Sequence, residues 1–154
     1  AVEGFAVGIG TTMLLHCDFV YAGQGARFRM PFVELGLCPE GASSHLLERV
    51  VGPRKARDWL MSARFFDCDE AFAAGLLTAA APQGQALDMA RATANNLSRL
   101  PGTSLRATKR MLARDDKAAV QAALDDEVRN FAALINSEAT QAIFKSFLNK
   151  SGRR

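Results

Sequence analysis

The stretch Gly4-Phe5-Ala6-Val7-Gly8-Ile9-Gly10 sets the tightest limit on what this chain can fold into. Three apolar residues are too few for a helical stripe, and the flanking glycines mark them as a buried strand that must turn at once. Thr11 and Thr12 suit the first turn of a helix, and the run to Cys17 is short and apolar enough to be one. A strand passing through glycines into a helix start leaves backbone N–H groups without partners. That arrangement suits an anion or a developing oxyanion, although the turn geometry alone also calls for glycine. No GxGxxG register is present and no Gly-Lys-Ser/Thr follows, so this is not a nucleotide motif.

The rest of the chain falls into two regimes. Up to about residue 40, short extended pieces alternate with glycines: Asp18 to Ala22 is β-branched and aromatic, Gly23-Gln24-Gly25 turns it, and Ala26 to Phe28 is a further short strand. From about residue 42 the pattern is helical. Leu46, Leu47 and Val50 share a face before Gly52-Pro53, and Ala56, Trp59, Leu60 and Ala63 form the next stripe. Asp67 or Asp69 caps a short helix that Gly75 ends, and Leu76-Leu77-Thr78 is briefly extended. Three longer stripes follow: Leu87, Ala90, Ala94 and Leu97; Leu105, Thr108 and Leu112; and Val120, Leu124, Val128, Phe131 and Ile135. Ile143 and Phe147 carry the pattern into the last helix.

Composition narrows the class further. With 154 residues, 49% of them hydrophobic, the chain buries one core and is not disordered. No apolar run reaches the roughly 18 residues of a membrane helix. The net charge of +3 is concentrated in the last third and is too dilute to argue for nucleic acid. Cys17, Cys38 and Cys68 are far apart and odd in number, which argues against a disulfide framework or a zinc site and for a reducing, cytoplasmic compartment.

Few side chains are candidates for chemistry. Glu40, between Pro39 and Gly41 and downstream of apolar Phe32, Leu35 and Leu37, is either a general base in a partly dry pocket or an idle acid in a first helical turn. Glu34 is more simply a solvated charge. His16 and His45 lack metal-ligand spacing, and no Ser-His-Asp or Cys-His set is defensible.

The ordered series resembles the crotonase (enoyl-CoA hydratase/isomerase) superfamily. The residues that carry it are Ala1 to Gly10, Cys17-Asp18, Tyr21-Ala22, Ala26-Arg27-Phe28, Pro31, Leu35-Gly36-Leu37, Pro39, Val51-Gly52, Ala71 with Ala74-Gly75-Leu76, Leu100-Pro101 and Phe147-Leu148. The resemblance implies an α/β fold, the C-terminal portion of a crotonase-like ββα spiral over residues 1–100, with a helical trimerisation region over residues 101–154. It also implies that the family's N-terminal part is absent. The substrate it implies is an acyl-CoA thioester, with no cofactor, nucleic acid or membrane partner, in a homotrimer or dimer of trimers.

In the family, two backbone N–H groups stabilise a thioester enolate. The resemblance assigns one donor to Ile9, with Gly8 shaping the turn, and the other to the upstream segment. Hydratases of the family use two glutamates to hold water, and Thr12 and Phe32 stand at those positions here. Neither side chain works as an acid or base at neutral pH, so hydration is not expected. Glu40 matches the carboxylate of Δ3,Δ2-enoyl-CoA isomerases of the peroxisomal type, to which Met30 to Ser44 is similar. On this resemblance Glu40 and Ile9 are catalytic, while Gly8, Thr12, Phe32 and Leu35 contact substrate, with Phe32 and Leu35 as apolar walls. Another single-acid reaction, such as thioester hydrolysis or dehalogenation, and a non-catalytic acyl-CoA-binding fragment are the alternatives. Lys145 and Lys150 are either CoA-phosphate contacts or part of a solvated face.

Overall fold

A computed structural model describes residues 1–112 and 117–151. Strand β1 (Phe5–Val7) runs into helix α1 (Ile9–Thr12) and a 3-10 turn (Met13–His16). Strands β2 (Tyr21–Gly23) and β3 (Arg27–Arg29) follow, then an irregular segment to helix α2 (Ser43–Val51). Helix α3 (Pro53–Ser62), strand β4 (Phe66–Asp67), helix α4 (Cys68–Ala73) and strand β5 (Ala79–Ala81) complete the first part. Four helices come after it: α5 (Ala86–Ser98), α6 (Gly102–Leu112), α7 (Lys117–Ile135) and α8 (Glu138–Ser151). No helix among the described residues is long and apolar enough to cross a membrane.

Two small sheets hold the α/β part. In the order β1-β3-β4, β1 lies parallel to β3, with Ala6 opposite Phe28, and β4 is antiparallel to β3. The second sheet pairs β2 with β5 in parallel, Ala22 opposite Ala80. Between the sheets and α2 to α4 sits one apolar core. Phe28, Met30, Leu47 and Trp59 are its largest fully buried side chains. Trp59 stacks on Phe66 at 3.7 Å between ring centroids, and its indole N–H donates to Glu70 Oε1 at 3.1 Å. That bond satisfies the one polar atom the ring carries into the core.

Caps come from near and far. Asp67 accepts from Glu70 N at 2.9 Å, the local cap its place before α4 implies. The start of α5 is capped from a distance, by Glu3 accepting from Gly84 N at 2.8 Å and Ala86 N at 2.7 Å.

Three expectations from periodicity need correction. The extended piece Leu76-Leu77-Thr78 is not the strand. Leu76 and Leu77 plug the core, and the ladder begins at Ala79, where a partner is available at Tyr21. Helix α5 turns Ala86, Met89 and Ala90 towards Tyr21, leaving Leu87 exposed. In α7 the buried side chain is Glu127, while Val128 is 66% exposed.

Candidate active site

Local sequence explains how the turn after β1 is built. Gly8 has φ 57° and ψ −122°, a backbone state that a side chain would strain. Its N–H donates to Arg29 O at 2.9 Å, continuing the β1–β3 ladder, and its carbonyl accepts from Thr11 N and Thr12 N to start α1. Thr11 Oγ1 donates back to Ala6 O at 2.6 Å and locks helix to strand. Ile9 is the first residue of α1, so its N–H has no acceptor inside the helix. Among the described residues it finds none elsewhere, and Ile9 is 59% exposed. The turn therefore leaves a backbone donor without a protein acceptor, among the described residues, one position after the glycine.

Glu40 comes to this turn from the other side. Thr12 Oγ1 donates to Glu40 Oε1 at 2.6 Å, across 28 residues of sequence. Gly41 allows the approach: at φ +69° a Cβ there would stand 3.3 Å from Thr12 Oγ1 and 3.8 Å from Ile9 Cδ1. The Gly41 carbonyl accepts from His16 Nε2 at 2.7 Å. Because the acceptor is a carbonyl, the Nε2 position carries the hydrogen. On the far side of the loop, Ala42 N donates to Glu127 Oε2 at 2.6 Å and Ser44 N to Glu127 Oε1 at 2.9 Å.

Glu40 and Gly41 open onto a cavity of about 320 Å³, whose other walls are Leu124, Glu127, Val128 and Phe131 of α7. Two acidic residues thus line one apolar cavity, and their hydrogen bonding differs. Glu127 is 5% exposed, with each oxygen engaged by a backbone N–H. Glu40 is half-buried, and among the described residues its Oε2 has no hydrogen-bond donor. A carboxylate with one oxygen anchored and one open can move a proton. One with both oxygens bonded to backbone N–H groups is held more firmly in place.

The family profile described as Enoyl-CoA hydratase/isomerase matches residues 1–153. The chain belongs to the enoyl-CoA hydratase/isomerase family. It is similar to the 2,3-dehydroadipyl-CoA hydratase of Escherichia coli (strain K12), 33% identical over 150 residues, covering 97% of this chain and 59% of that protein. It is also similar to enoyl-CoA delta isomerase 2 of Rattus norvegicus, 31% identical over 149 residues, covering 97% of this chain and 38% of that one. The crystal structure of an enoyl-CoA hydratase/isomerase from Pseudoalteromonas atlantica T6c superimposes with a TM-score of 0.93 at 38% identity, over 96% of this chain and 60% of that one. The chain therefore spans about three fifths of the length of the bacterial relatives.

Within this enoyl-CoA hydratase/isomerase fold, three of the expected substrate contacts sit at different depths. Thr12 is fully buried, and its hydroxyl donates to Glu40. Phe32 is 5% exposed and belongs to the main core cluster. Leu35 lines a separate cavity of about 450 Å³ with Val7, Arg29, Pro31, Glu34, Ile143, Ser146 and Phe147. The apolar walls beside Glu40 are instead Leu124, Val128 and Phe131, already visible in the sequence as a helical stripe. Glu127 was missed, although an acid on the face shared by Leu124 and Phe131 is itself a signal. Glu34 forms an ion pair with Arg29, and Lys145 is exposed. The Lys150 side chain lies outside the described residues. No group of three or more potential metal ligands occurs among the described residues.

Proposed function

We propose that this family member is a Δ3,Δ2-enoyl-CoA isomerase in which Glu40 is the single acid–base group. The observation that carries the reading is the difference between the two carboxylates at the cavity: only Glu40 keeps an oxygen open, and Thr12 holds the other. The thioester oxygen of a 3-enoyl-CoA would accept the Ile9 N–H, which polarises the carbonyl and acidifies the C2 proton. Glu40 removes that proton, the C3–C4 double bond moves to C2–C3, and Glu40 returns the proton at C4. Leu124 and Phe131 supply an apolar wall that limits water at the dienolate. Coenzyme A enters as part of the substrate, and no other cofactor is needed.

Hydration is the second reading, favoured by the name of the Escherichia coli relative. It requires a water held by two working carboxylates, and the Glu127 carboxylate is already engaged by two backbone N–H groups. The test offers the intact protein 3-hexenoyl-CoA and, separately, 2-hexenoyl-CoA, with products resolved by chromatography. Isomerisation of the first without hydration of the second is the expected result. A 3-hydroxyacyl-CoA from the second, with the first left untouched, overturns the proposal in favour of hydration. Free CoA as the main product would favour thioester hydrolysis.

The assembly we propose is a trimer built on the C-terminal helices, where Met111, Leu112, Phe147 and Leu148 are each more than half exposed. Native mass measurement checks it, and a monomer at micromolar concentration contradicts it.

A further inference from the structure

Helix α7 sends one buried side chain into the molecule, and it is an acid. Burying a carboxylate is costly unless its oxygens are bonded, so its partners show what it does there. Those partners are the N–H groups of Ala42 and Ser44, at 2.6 and 2.9 Å, more than 80 residues upstream. They are amide groups at the start of α2, which has no side-chain cap of its own. Only Gly41 separates Glu40 from Ala42, and Ser44 lies two residues further on. Ala42 sits at φ 58° and ψ 19°, a left-handed state that alanine seldom adopts. A strained backbone two residues after the proposed base persists only while something holds it. The second C-terminal helix grips the other end of the same segment, where Thr140 Oγ1 of α8 donates to Gly36 O at 2.8 Å.

We propose that Glu127 is a positioning residue, which fixes the backbone at Ala42 so that the Glu40 carboxylate meets Thr12 and faces the cavity. Each of its oxygens already accepts a backbone N–H of the segment it would hold. The proposal rests on Glu40 being the base. It adds that the C-terminal helices set the geometry of catalysis as well as covering the site.

The experiment compares wild type, Glu127→Gln, Glu127→Asp and Glu40→Gln of the intact protein, with 3-hexenoyl-CoA as substrate and the folded fraction measured by circular dichroism. In Glu127→Gln the side-chain amide offers one acceptor oxygen for two donors, so one N–H loses its partner and the loop relaxes. Small misplacements of a reacting group are expensive, and kcat per folded molecule should fall on the order of ten- to hundredfold while KM stays nearly unchanged. Glu127→Asp keeps both acceptors on a shorter stem and should fall between; it also serves if Glu127→Gln does not fold. A merely structural role lowers the folded fraction and leaves kcat per folded molecule intact. That outcome, with Glu40→Gln inactive, overturns the positioning role alone. Full activity in Glu40→Gln overturns the base assignment, and the positioning role falls with it.

Discussion

Replacing Thr12 with valine removes the contact that joins the glycine turn to the proposed base, along with a longer 3.5 Å contact from the same hydroxyl to Gly8 O. Valine matches threonine in shape, and position 12 is completely buried, so packing is conserved while the hydroxyl is lost. The bond removed is short, 2.6 Å from Thr12 Oγ1 to Glu40 Oε1. A hydrogen bond to an ionised group contributes about 1.5–3 kcal/mol. At about 1.36 kcal/mol per decade of rate, loss of that orientation lowers kcat by roughly tenfold, with about 150-fold as the upper bound. Stability should change by less than about 1 kcal/mol, because a half-buried carboxylate turns to water when its partner goes. Steady-state isomerisation of 3-hexenoyl-CoA, paired with urea denaturation, measures both quantities. Wild-type kcat in Thr12→Val, with Glu40→Gln inactive, would refute the claim that Thr12 aims the base.

Two further outcomes follow from other parts of the structure. Gly8→Ala meets no steric obstacle, since nothing lies within 4 Å of a Cβ there, but it places alanine at φ +57°. Stability to urea should fall by about 1–3 kcal/mol, and kcat should fall with it as relaxation swings the Ile9 N–H away. The third outcome concerns acid stability. Hydrogen bonds from the Arg64 guanidinium hold the Glu70 carboxyl down to about 2, against a usual 4.5. A depressed folded-state pKa adds stability that is fully present above the unfolded value and is lost as pH falls through the folded one. Wild type should therefore lose stability between about pH 5 and pH 2 more steeply than Glu70→Gln, by roughly 1–2 kcal/mol after allowing for the solvent exposure of Arg64. Denaturation curves across that range provide the check, and parallel slopes would contradict it.

Short-range chemistry was legible in the sequence. The turn at Gly8 had to be glycine, and the structure gives it a positive φ and an unpaired N–H at Ile9. Of the two candidate caps, Asp67 and Asp69, Asp67 caps α4, and capping is decided within three residues. Glu40 was singled out for its rigid setting, and it does lie against the glycine turn. Long-range partners were not legible. Thr12 meets Glu40 across 28 residues and Glu127 meets Ala42 across 85, and no periodicity encodes such pairings. The lining of the cavity at Glu40 was not legible for the same reason. Phe32 is near Glu40 in sequence, but its size and shape fit the core, whereas Leu124 and Phe131 arrive from a helix whose docking only the fold determines. The strand at Ala79–Ala81 was displaced from Leu76 because strand assignment depends on a pairing partner, not on apolarity.

The most direct test of the central claim is the turnover of 3-hexenoyl-CoA by Glu40→Gln in the intact protein, folded as judged by circular dichroism. Glutamine keeps the shape and an acceptor for Thr12 but no longer carries a proton between C2 and C4. Loss of a positioned acid–base group costs about 10²- to 10⁴-fold, and kcat should fall by that much with KM little changed. A folded Glu40→Gln protein that isomerises at the wild-type rate would contradict the account.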